Sequence, residues 1–493
     1  MKRRPIVVAV LVAGFAGEAP AQDYRVRIDG SAQAVSFRGL QADSIAATQV
    51  VASPSGGQQT PDGYAVRCAG GATYCYYFRP GEIQRGLPAT TTAHVVMWGL
   101  GVTGLSARAT GRVLGDLSGS QTWPGMEPAV QLIEGFLEYQ RSMLTARAGR
   151  QLLTSRLEQL GFDGASLRGH WDDYAIDLGA YGGWGLGQAA ALPVGSPALN
   201  PLDEWRPRER QILAGVEAGW LHRYADVRGE YRREIDPLDN NIVSERASFS
   251  AVSQLRAWHA AAGADVNLAE GHLGSADLSL TFLQPRYALT AGARRYRPYF
   301  SLWTLWGAFS PVPYHAVHSS GEWRATGALS LNARAEWYRY QDAGVSTGLV
   351  AGLQDHGWRV SAGARMTMGS AWSADATAGL ERGPGAAAEF ADIALGYAPS
   401  QTVSLAVYGG ALARPLELRY YDARSRWIGG RGEMQLTSQR RLWGDIAFIG
   451  DDRDRPDDAA SSMGQVRMRA GFSIAFGSGA DRTPLPPARR TPR

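Results

Sequence analysis

Two residue types are almost missing from this chain. Cysteine occurs only as Cys68 and Cys75, and lysine only as Lys2. So few thiols exclude a cysteine metal cluster and any CxxCH haem attachment, and the lack of lysine excludes a Gly-rich phosphate loop with its usual cation. Also absent, beyond the first residues, is any apolar run near the roughly 20 residues that a membrane-spanning helix needs. Internal repeats and domain linkers, which a propeller or a string of sandwiches would show, are missing before residue 477. Net charge is small, +4 over the whole chain. That gives no reason to expect a nucleic-acid partner, and no metal or cofactor is expected.

The N-terminus is the exception to the lack of apolar runs. Lys2, Arg3 and Arg4 precede an apolar run from Ile6 to Ala16 and small residues at Ala19 and Ala21, the layout of a signal peptide over residues 1–21. Export makes an oxidising compartment the expectation. Cys68 and Cys75, with six residues and an Ala-Gly-Gly turn between them, then read as a disulfide closing a short hairpin. An Arg/Pro-rich tail over 477–493 is expected to be disordered in the periplasm.

What fills the rest is alternation. In "QVRMRAGFSIAF" Val466, Met468, Ala470, Phe472, Ile474 and Phe476 oppose Arg467, Arg469, Gly471, Ser473 and Ala475. Successive side chains on a strand point to opposite faces, so this is a strand with one apolar face and one polar or tiny face. The same pattern recurs along 329–338, 358–368 and 372–381. Aromatic residues sit toward strand ends on the apolar face (Trp220, Tyr231, Trp337, Trp358, Trp372, Tyr397 and Phe476), as in an interfacial girdle.

Connections alternate as well. Short links at 141–142, 172–173, 222–223, 284–286, 342–344, 369–370, 398–401 and 437–440 separate longer ones at 118–129, 187–207, 236–243, 298–320, 382–386 and 451–462. Short turns at one rim and long loops at the other define a transmembrane antiparallel β-barrel. The all-β reading is therefore a barrel over residues 22–476, with about 22 strands (roughly 18 to 24) and no separate plug domain. Residues 40–88 are expected to form a long external loop carrying the Cys68–Cys75 hairpin. An even strand number places both termini on the periplasmic side of a bacterial outer membrane.

"LTARAGRQLL" (144–153) followed by "GFDGASLRGHWDDYAIDLGAYGG" (161–183) resembles the paired strands of bacterial porins of the alginate-export type. There an Ala-Gly-Arg-Gln strand end precedes a Phe-Asp-Gly strand. The resemblance covers about residues 130–185 and implies diffusion of an anionic or sugar-like solute. The last strand, ending at Phe476, resembles the C-terminal signal read by the barrel-assembly machinery.

A catalytic role is not expected. His170 beside Asp172 and Asp173 has the residue types to activate water, yet Asp-Asp is common turn chemistry. His315 and His318 are placed in an aromatic, Pro-bounded loop, and the Asp451-to-Asp458 stretch is broken by Arg453, Arg455 and Pro456. The candidate site is instead the lumen. Inward positions include Arg147, Arg168, Arg228, Arg232, Arg334, Arg359, Arg365, Arg431, Arg467 and Arg469, with Glu336, Asp375 and Glu433 among the acids. Over the interior the two signs nearly cancel, and loops 187–207 and 298–320 are expected to fold inward as the constriction. Two functions fit: a porin-like channel for small polar or anionic solutes, or a structural sheath around a periplasmic or surface partner such as a multihaem cytochrome. Lipid and lipopolysaccharide of the outer membrane are the other expected partners.

Overall fold

A computed structural model describes residues 23–52, 58–64, 66–118, 130–157, 159–186, 210–297, 313–341, 355–383, 386–415, 422–453 and 462–478. The expected signal peptide, the loop 187–207 and nearly all of the tail lie outside them.

Twenty-two strands form one closed antiparallel wall, each paired with its neighbours in the chain. Closure comes from the ends of the sequence. Arg25 to Ala34 pair with Met468 to Gly477 on one side, and Asp23 to Ala32 pair with Ala89 to Trp98 on the other. A closed sheet leaves no strand edge to satisfy in a bilayer, which is why only such a wall spans with strands. Apart from Asp23–Ala46, which has 24 residues, wall strands run from ten residues (Ile176–Gly185) to sixteen (Asp422–Thr437), enough to cross a bilayer at a tilt. Among the described residues no helix is long and apolar enough to cross, and none forms a plug.

Burial runs opposite to that of a soluble protein. Arg232 is 1% exposed and Glu336 3%, while Ile393 is 63% exposed and Ile428 60%. Period-2 side-chain alternation produces both facts in the same strands: Glu336 is buried and the next residue, Trp337, is open.

Two expectations are corrected here. Residues 40–88 are not simply a loop: strand Asp23–Ala46 runs past the wall, and its outer half pairs with Tyr74–Gly86 through Val35↔Gly86 to Ala46↔Tyr74. The disulfide Cys68–Cys75 closes on this hairpin, where Cys75 lies opposite Ile45 and Tyr64 stacks on Tyr77. The stretch 298–320 is likewise split, because Tyr314–Arg324 is a wall strand. The short turn of that region is therefore 325–328; the segment 342–344 lies outside the described residues.

Candidate functional site

A contact across the interior shows which face is inside. Arg156, at the tip of the hairpin between Leu144–Thr154 and Gln159–Trp171, donates to the Asp277 carboxylate and to Ser275 Oγ on strand His272–Leu283. Those strands are six neighbours apart, roughly 29 Å along the wall at about 4.8 Å per strand. Asp277 shares its face with Arg294, Ala316 and Tyr338 in direct cross-strand register. The face bearing Tyr338, Glu336 and Arg334 is therefore the lumen.

Glycine makes the inward fold possible. Gly149, Gly164 and Gly183 are aligned across three strands. Gly149 has φ +127°, and a Cβ on Gly164 would lie 2.0 Å from the Gly182 carbonyl oxygen. No other residue allows backbones that close. Beyond this row the hairpin tip leaves the wall and is fastened inside. The Leu157 carbonyl accepts from Arg246 Nη1 at 2.9 Å, and Leu157 is 2% exposed. Leu153 and Leu160 pack against a small apolar cluster of Phe162, Tyr181 and Leu213 on the lumen side. Tyr181 in turn donates to Glu230 at 2.7 Å. Arg150 binds Asp163 through Nε and Nη2 (2.7 and 3.0 Å), and Gln151 accepts from Ser166 Oγ (2.6 Å). The Ala-Gly-Arg-Gln and Phe-Asp-Gly motifs are thus the two arms of one kinked hairpin. The loop 187–207 and most of 298–320, expected to fold inward, lie outside the described residues; Arg156 and Leu157 join the expected lumen residues, and their signal is the glycine row, visible only once the hairpins are paired.

Register puts the remaining candidates on the face of Asp277, mostly as ion pairs. Arg147 Nε meets Glu138 at 2.6 Å, Arg168 Nε meets Glu217 at 2.9 Å, and Arg228 forks onto Asp226 at 3.0 and 2.9 Å. Arg232 Nε lies 3.2 Å from Glu234. Glu336 receives three guanidinium groups: Arg294 at 2.6 Å, Arg359 at 2.7 Å and Arg334 at 3.4 Å. Above it, Arg294 and Arg359 lie over the rings of Tyr314 and Tyr338. His318 is opposite Glu336 on this wall, whereas His315 faces outward; neither is in the loop expected for them.

On the far side the lumen opens into a cavity of about 960 Å³. Arg365 pairs with Asp375 at 2.9 Å, Arg469 with Asp445 at 3.2 Å and Arg441 with Glu433 at 3.0 Å, while Arg431 is registered against Asp445. Five arginines line the cavity, counting Arg27, which pairs with Asp29 at 2.9 Å, against the carboxylates Asp375, Glu433 and Asp445, so that even with Asp29 included arginine is in excess by one. Arg467, opposite Ala447, continues this face toward the loop rim. Charge that nearly cancels along the sequence is locally positive where it lines space. As for catalysis, both ring nitrogens of His170 are taken by carboxylates, Nδ1 by Asp177 at 2.5 Å and Nε2 by Asp172 at 2.7 Å. Asp172–Tyr174 is a tight turn.

No protein-family model matches this chain, and no curated protein matches it in sequence. Solved structures do. A variant of the ferric enterobactin receptor PfeA of Pseudomonas aeruginosa aligns with a TM-score of 0.51 at 12% identity, over 92% of this chain and 80% of that one. The siderophore receptor PirA of the same organism aligns at 0.47 and 11%, over 91% and 80%. OccAB2 of Acinetobacter baumannii aligns at 0.41 and 9%, over 93% and 98%. At these identities the likeness concerns fold alone: the chain is a β-barrel of the outer-membrane kind.

Proposed function

We propose that this protein is a passive outer-membrane channel for small polar solutes that favours anions, with its long loops external and both termini periplasmic. The observation that carries the reading is the excess of arginine over carboxylate around the roughly 960 Å³ lumen cavity. Fixed charge in a confined, low-dielectric wall raises the local concentration of the opposite ion. The inward-folded tip at Arg156 narrows the path from within the chain itself. The resemblance of residues 130–185 to porins of the alginate-export type supports an anionic or sugar-like solute, and the reading assigns no catalysis.

Purified barrel in a planar bilayer is the test. Stable conductance steps are expected, with a reversal potential in a salt gradient that reports anions crossing faster than cations. A barrel that never conducts, or is stable only with a co-purifying partner inside it, would replace the channel with the sheath.

A further inference from the structure

The outer face carries a row of arginine and histidine at the rim where the long loops emerge. Arg295 is directly opposite His315, His315 opposite Arg339, and Arg339 opposite His356. Four consecutive strands, Tyr287–Tyr296, Tyr314–Arg324, Leu329–Tyr340 and His356–Met368, therefore present a basic side chain at one height. Arg295 and Arg339 are its fixed charges, and each lies directly opposite histidine rather than a carboxylate. Asp355 bridges two of the four, Arg339 at 2.7 Å and His356 at 3.0 Å, and both partners hold its carboxyl below the usual carboxylate range, His356 foremost. Arg295 takes an amide oxygen, Gln341 Oε1, at 3.3 Å.

Position along the strands identifies what else meets this row. Two residues nearer the middle of the wall lies the apolar row Val317, Trp337 and Trp358, all exposed. Paired tryptophans at that depth mark the boundary of the hydrocarbon. Two residues of strand are about 7 Å, which carries the basic row to the depth of headgroup phosphates. The opposite rim differs: its outer face is aromatic, with Trp220, Trp258, Trp323 and Trp372, although Arg440 there is also exposed.

We propose that Arg295, His315, Arg339 and His356 form a binding site for the phosphate groups of a phosphorylated glycolipid in the leaflet at the loop rim. Charge complementarity and continuity with the lipid-facing surface both favour a lipid as occupant. The site lies on the outside of the wall and does not depend on conduction.

The full barrel, purified in detergent micelles, is titrated with bisphosphorylated lipid A, with the same lipid after phosphatase treatment, and with inorganic phosphate. Wild type is expected to bind the phosphorylated lipid about tenfold more tightly than the dephosphorylated one, and Arg295→Ser with Arg339→Ser to lose that preference. Arg440→Ser should keep it, and millimolar inorganic phosphate should not compete. Equal affinity of wild type and the double variant, or of the two lipids, overturns the site. Competition by inorganic phosphate overturns the lipid as its occupant. Folding of each variant is checked by heat-modifiable mobility. If the double variant does not fold, Arg339→Gln gives the same comparison, and the wild-type affinity must also fall as salt rises.

Discussion

The two faces of strand Leu329–Tyr340 are neighbours one residue apart and behave as if in different proteins. Glu336 is buried among three guanidinium groups, while Trp337 stands open with Trp358 beside it. Each face is understandable only with its own solvent. The apolar face is exposed because lipid covers it, and the polar face is buried because side chains crowd inward and satisfy one another across strands.

The sharpest way to break the comparison is to exchange the solvents. Ala362→Arg or Ala376→Arg puts a charge on the lipid face near its middle, at a cost of roughly 2–4 kcal/mol, and assembly judged by heat-modifiable mobility should fail. Thr377→Arg, one residue away and opposite Asp392, should assemble. A smaller loss is expected from Glu336→Ala, which leaves Arg294, Arg334 and Arg359 facing one another. Urea resistance of the folded band should drop by about 1–3 kcal/mol.

Effects within the lumen are read as current. Arg156→Ala releases the hairpin tip from Asp277 and should raise single-channel conductance on the order of twofold. Arg365→Glu with Arg431→Glu reverses the arginine excess of the cavity, so the anion preference should vanish or invert. That change should fade at 1 M salt, where charges are screened beyond about 3 Å. Smallest of all is the double Ser variant of Cys68 and Cys75. The disulfide ties the hairpin beyond the wall, and barrel stability should stay within about 0.5 kcal/mol of wild type by the same urea assay.

Much of this wall was legible because its code is local. Alternation of period two, as in Trp372 to Glu381, needs no partner to be read, and short turns such as 172–173 punctuate it. Around 298–320, Pro and aromatic residues mask the start of strand Tyr314–Arg324, whose alternation is therefore hard to separate from a loop. The inward hairpin was harder. Gly149, Gly164 and Gly183 are far apart in sequence and mean nothing until register aligns them, and Arg156 finds Asp277 only after the kink. The arginine excess was hidden for a related reason. Along the chain the signs cancel, and only the cavity selects which residues are counted together.

One face of every wall strand meets water and the other meets lipid. Both native cysteines are held in the disulfide, so single new cysteines can be probed without background. Cysteine placed in turn at each position from Ser373 to Ala378, in the barrel reconstituted in lipid, should react with a charged, membrane-impermeant thiol reagent at 373, 375 and 377 and stay unreactive at 374, 376 and 378. Reactivity without that period, or with the two sets exchanged, would contradict the account.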